Sequence, residues 1–140
     1  MTPIIGACHC GNIRFVFHWP GDPGEIPVRA CGCEFCLKHG GTYTSHREGR
    51  LEAVIADRDC LSTYRFGTKT ADFYICARCG AVPFVTSEIQ GTLHAVVNVN
   101  TFEGIPRQAF VHATSDFEGE SVDDRLNRRG KTWIPSVSIR

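Results

Sequence analysis

The sequence predicts a mainly β protein, an all-β arrangement of packed or folded-over sheets with one short helix near its C-terminus. Three observations carry that expectation. Short runs rich in β-branched and aromatic residues recur roughly every ten residues, separated by Gly-, Asp- and Lys-containing turns. One stretch alone, near residue 121, carries both a helix start and a helix stop signal over more than one turn. Cysteines come in tight groups, and apolar alternation resumes directly after them.

Taken in order, Ile13, Phe15, Phe17 and Trp19 alternate with Arg14, Val16 and His18, a period near two that predicts a strand. Pro20-Gly21-Asp22-Pro23-Gly24 ends it as a loop. Residues 28–30 lead into a cysteine group, and 36–41 read as one helical turn closed by Gly40 and Gly41. Further strands are predicted at 42–46, 51–55, 62–66, 72–75, 81–86 and 93–102. In the last, Leu93, Ala95, Val97 and Val99 alternate with His94, Val96, Asn98 and Asn100. Ser121 and Asp124 have capping-box spacing, and Arg125, Arg128 and Arg129 suit the negative end of a helix dipole. Gly130 then suits the stop, for a helix of about two turns. Arg128-Arg129-Gly130-Lys131 reads as a solvated helix end, and residues 131–140 as a docked tail. No linker divides the chain, so a single domain over 1–140 is expected.

Composition narrows the function classes. The 140 residues hold 15 Lys+Arg against 15 Asp+Glu, with 42% hydrophobic and 21% charged residues. That is a globular composition. Neutrality argues against a protein that coats nucleic acid or an anionic membrane, both of which call for a basic excess. No apolar run approaches the roughly 20 residues of a membrane span. Residues 1–10 have neither a basic nor an apolar leader segment, so a cytoplasmic location with reduced thiols is expected.

The eight cysteines are the informative feature. All but Cys60 fall in three groups: Cys8-His9-Cys10, Cys31-Gly32-Cys33-Glu34-Phe35-Cys36 and Cys76-Ala77-Arg78-Cys79. Disulfide scaffolds are usually exported and shorter, and core-filling thiols have no reason to cluster. Thiolates gathered around one cation do, at ~2.3 Å each. The spacings match neither common ferredoxin pattern, which leaves Zn2+ as the leading metal and a mononuclear iron site as the alternative. The outer two groups share the repeat C-x(1–2)-C-G-x-[IV]-x-F, in 8–15 and 76–84. In such a knuckle the glycine permits a positive φ, and backbone amides turn toward the sulfurs. Two facing knuckles give a closed four-thiolate structural site of Cys8, Cys10, Cys76 and Cys79. Cys31, Cys33 and Cys36 then form a three-thiolate set. Either its fourth position is open, as in catalytic zinc, or Cys60, His39 or His46 closes it as a second structural site.

The order C-x-C-G, C-x-C-x-x-C, C-x-x-C-G resembles the glutathione-dependent formaldehyde-activating enzyme family, over about residues 6–102, with 103–140 as an extension. The resemblance implies an Mss4-like β-tent of folded-over antiparallel sheets around a structural zinc. It implies that Cys8, Cys10, Cys76 and Cys79 bind that zinc, and that Cys31, Cys33 and Cys36 bind a second, catalytic one. The implied activity is that of a carbon–sulfur lyase joining glutathione to formaldehyde. The expected partners are thus a small thiol such as glutathione and a small aldehyde, with no nucleic acid and no membrane. Glu34, His39 and His46 are candidates to move the proton, and Lys38, Arg14 or Arg47 to meet a substrate carboxylate. The competing expectation is a non-enzymatic zinc module that binds a protein partner.

Overall fold

The computed structural model describes residues 1–140. Its strands are β1 (Thr2–Ala7), β2 (Ile13–Trp19), β3 (Ile26–Cys31), β4 (Thr42–Thr44), β5 (Arg50–Ile55), β6 (Leu61–Tyr64), β7 (Asp72–Cys76), β8 (Phe84–Ile89), β9 (Thr92–Asn98), β10 (Phe102–Glu103), β11 (Phe110–Ser115) and β12 (Ser136–Ile139). Two helices interrupt them, α1 (Glu34–His39) between β3 and β4, and α2 (Val122–Thr132) between β11 and β12. A five-stranded sheet runs β10-β1-β2-β5-β12, and a seven-stranded sheet runs β11-β3-β4-β9-β8-β7-β6. The mainly β expectation therefore holds. Antiparallel pairing is not universal, because β11 and β12 join β3 and β5 in parallel.

The alternation in β2 works as predicted. Ile13, Phe15, Phe17 and Trp19 turn inward and meet Leu51 and Ala53 of β5 and Val28, Phe84 and Val97 of the facing sheet in one core of 18 buried residues. The repeat phenylalanines Phe15 and Phe84 touch edge to face across it, centroids 6.4 Å apart. Their repeat is not symmetric, however. Ile13 starts β2, whereas Val82 lies ahead of β8 and packs into a different cluster.

That second cluster corrects the reading of β9. Ala95 and Val97 face the core between the sheets, but Val96, Asn98 and His94 on the opposite side are buried too. The outer face of the seven-stranded sheet has its own apolar set, Cys36, Tyr43, Phe73, Val82, Val85, Val96 and Trp133. Period-two patterning cannot signal a strand covered on both faces.

The cover is α2. Ser121 caps it as predicted, its hydroxyl accepting from the Asp124 amide at 3.1 Å. Gly130 does not stop it. The helix continues to Thr132, an extra turn, and closes at Trp133. Arg129 is correspondingly 6% exposed rather than solvated. Beyond it Ile134 bridges Ala95, and β12 lies along β5, so the tail docks as expected. Strands β1, β10 and β11 were not anticipated. Isoleucine-rich β1 lacks alternation, and β11 is exposed on most of its length.

Candidate metal centres and active site

The first knuckle links β1 to β2 and the last links β7 to β8, so each sheet contributes one. Both use the same local device. The Cys8 amide donates to the Ile13 carbonyl and the Cys76 amide to the Ala81 carbonyl, each at 2.9 Å. Gly11 and Gly80 have φ of +84° and +79°, the left-handed conformation expected after the second cysteine. The Ile13 amide points at the Cys8 sulfur, 3.3 Å away.

The structure brings the sulfurs of Cys8, Cys10, Cys76 and Cys79 within 4.8 Å of one another. Cys10 lies 3.7 Å from Cys8 and 3.4 Å from Cys76. Metal–sulfur bonds of ~2.3 Å in a tetrahedron put neighbouring sulfurs about 3.8 Å apart, so this donor set fits a cation. Burial raises the Cys8 thiol to about 11. Burial also acts on Cys79, but the amides of Ala81 and Cys10 outweigh it and bring that thiol down to about 6. Thiols that bind a cation give up their protons on becoming its ligands.

Cys31, Cys33 and Cys36 form a second set within the same limit. Cys31 ends β3, Cys33 caps α1 through its sulfur, which accepts from the Cys36 amide at 3.4 Å, and Cys36 sits in the helix. A hydrogen bond from Cys36 lowers the Cys31 thiol to about 6 against the opposing effect of burial. Cys36 is pushed far up, first by that same bond and then by burial. The Tyr43 hydroxyl reaches the Cys36 sulfur at 3.4 Å and the His39 Nε2 at 3.5 Å. Both clusters can hold a metal ion on these donor sets.

None of the proposed fourth ligands joins the second set. Cys60 lies elsewhere, donating to Asp57 at 3.5 Å and accepting from Arg78 at 3.3 Å. His46 packs edge-on against Trp19, and His39 stays behind Tyr43.

What does adjoin it is a cavity of about 460 Å³. Cys31, Cys33 and Cys36 line one side, with the outer apolar cluster, including Phe73, Val85 and Val96, also in its wall. Four arginines, Arg29, Arg125, Arg128 and Arg129, line it as well. The basic residues singled out from sequence do not. Lys38 pairs with Glu34 at the surface, Arg14 is exposed, and Arg47 lines a shallower depression with His46 and Lys131. The sequence reads Arg128 and Arg129 as part of a solvated helix end and Arg125 only as suited to the helix dipole, whereas all three line the cavity. Their signal is the spacing, since Arg125 and Arg129, four apart, share a helix face.

The chain is 28% identical over 89 residues to a Halomonas elongata protein provisionally named a glutathione-dependent formaldehyde-activating enzyme, a match over 59% of this chain and 55% of that protein. It thus spans about half the length of that curated relative. It is 26% identical to a Rhodobacter sphaeroides protein of known crystal structure, covering 74% of this chain and 92% of the other with a TM-score of 0.54. The family model of the glutathione-dependent formaldehyde-activating enzyme matches residues 3–118, well beyond the 6–102 of the cysteine pattern and inclusive of all seven clustered cysteines. With most of its length under that match, the chain belongs to the glutathione-dependent formaldehyde-activating enzyme family.

Proposed function

We propose that the protein is a zinc-dependent carbon–sulfur lyase of the formaldehyde-activating type, joining a glutathione-like thiol to a small aldehyde. The zinc on Cys8, Cys10, Cys76 and Cys79 is structural, and the zinc on Cys31, Cys33 and Cys36 serves the reaction. One observation supports this above all: the three-sulfur set lines the 460 Å³ cavity, and the four-sulfur set does not. A protein-binding module with two inert zincs has no use for such a space beside one of them.

Cys31, Cys33 and Cys36 would hold the zinc, whose charge would keep a substrate thiol deprotonated. The chain does the rest. Phe66, Phe73 and Val96 give the cavity an apolar wall that limits water, and Tyr43 fixes the Cys36 sulfur. Holding thiol and aldehyde together removes much of the entropic cost of a bimolecular addition. The sulfur adds to the carbonyl carbon, a C–S bond forms, and the C=O π bond gives way to a hydroxyl. The proton lost by the thiol ends on that oxygen. Of the groups able to carry it, Glu34 lines the cavity while His39 and His46 do not.

Mixing glutathione with ¹³C-formaldehyde under NMR tests this. The protein is expected to carry two zincs and to speed adduct formation above the uncatalysed rate. Cys33→Ser should return the rate to background with the far-UV circular dichroism unchanged. A fully zinc-loaded protein that leaves the rate at background would overturn the proposal.

A further inference from the structure

The four cavity arginines are not equivalent. Arg128 pairs with Glu120 at 3.1 Å and lies 3.5 Å over the Phe117 ring. Arg125 donates to the Phe117 carbonyl at 2.8 Å and approaches Glu120. These two hold residues 117–120 against α2. Arg129 meets no carboxylate. Its Nη1 donates to the hydroxyls of Thr70 and Ser87 at 2.9 and 3.2 Å, and its Nε is buried without a partner. Four residues on, Trp133 lies 4.9 Å from the guanidinium, and its indole Nε1 is also buried and unpartnered. Arg29 of β3, also in the cavity wall, forms no ion pair.

Burying a guanidinium without a counter-ion is costly, and so is burying a donor without an acceptor. Burial, then Arg125 and Arg128, bring Arg129 down to about 10, so it stays charged at neutral pH. Arg129 and Arg29, unpaired cations in the wall of one cavity, form an anion site. A guanidinium's paired donors match the two oxygens of a carboxylate, the anionic group that a small thiol such as glutathione carries.

We propose that Arg129 and Arg29 bind a carboxylate of the thiol substrate, so that α2 selects anionic thiols for the three-cysteine site. This rests on the reading of that site given under Proposed function. It adds a recognition device from a helix that begins at Val122, after the family match ends at residue 118.

N-acetylcysteine and its amide differ by one charge at equal size. Calorimetric titration of each into the zinc-loaded full chain should show the acid binding about tenfold tighter, the gain of one charge-assisted pair. Arg129→Gln should erase that preference by weakening the acid alone, and Arg129→Lys should keep part of it. Arg29→Gln, at a less buried position, should reduce it too, and carries the test if Arg129→Gln does not fold. Equal affinity for acid and amide in the wild type, or no binding of either, overturns the proposal. So does a variant that weakens both alike while losing zinc, because the arginines would then only balance the thiolates. A retained acid preference without formaldehyde adduct formation would sink the lyase reading and leave the anion site standing.

Discussion

At the residue scale, Gly41 shows how tightly the three-cysteine site is supported. A Cβ built there would sit 2.4 Å from the Tyr43 hydroxyl oxygen and 2.9 Å from His39 Cε1. Tyr43 is 6% exposed and has little room to retreat. Gly41→Ala should therefore push the hydroxyl away from the Cys36 sulfur and cost about 1–3 kcal/mol, the usual penalty for overpacking. Urea unfolding reads the loss, and faster zinc release to a chelator reads the damage to the site. Tyr43→Phe removes the hydroxyl without the clash and should speed release with a smaller loss of stability. If Gly41→Ala leaves both unchanged, Tyr43 does not support the cluster. Metal-type grouping of the cysteines was legible from spacing because ligands must converge on one ion. The Tyr43 contact was not, since it depends on how β4 returns beside α1.

At the element scale, α2 joins two local signals of different value. The Ser121 cap was legible because it is a contact between residues three apart. Its end was not. Gly130 disfavours helix by about 1 kcal/mol, but Arg129 and Trp133 on either side are anchored against the sheet, and tertiary packing outweighs propensity. The same long-range fact hid the cavity, because the outer face of β9 is buried only when α2 lies across it. Ser121→Ala should cost ~1 kcal/mol. Hydrogen exchange should locate the loss in the first turn of α2, with the anion preference intact because Arg129 and Trp133 lie at the far end. Loss of protection spread evenly over both sheets would mean that α2 does not unfold as a local unit.

At the scale of the whole molecule, the two sheets meet through an apolar core, which is strong but non-directional, and through the paired knuckles, which fix one edge. The two cysteine sets differ in the chain they enclose. Cys10 and Cys76 are 66 residues apart and belong to different sheets, whereas Cys31, Cys33 and Cys36 are consecutive along one β3–α1 segment. Loop-closure entropy grows with the enclosed length, so a cross-link at the first is worth about 4 kcal/mol and at the second about 2. Cys10→Ser should accordingly lower stability roughly twice as much as Cys33→Ser in denaturant titrations of zinc-loaded protein. Activity should follow the reverse order for whatever fraction remains folded: Cys33→Ser abolishes turnover, and Cys10→Ser spares it. Equal losses of stability would mean that the core alone holds the sheets together. The division between a site that holds the fold and a site that serves the cavity would then have to be abandoned.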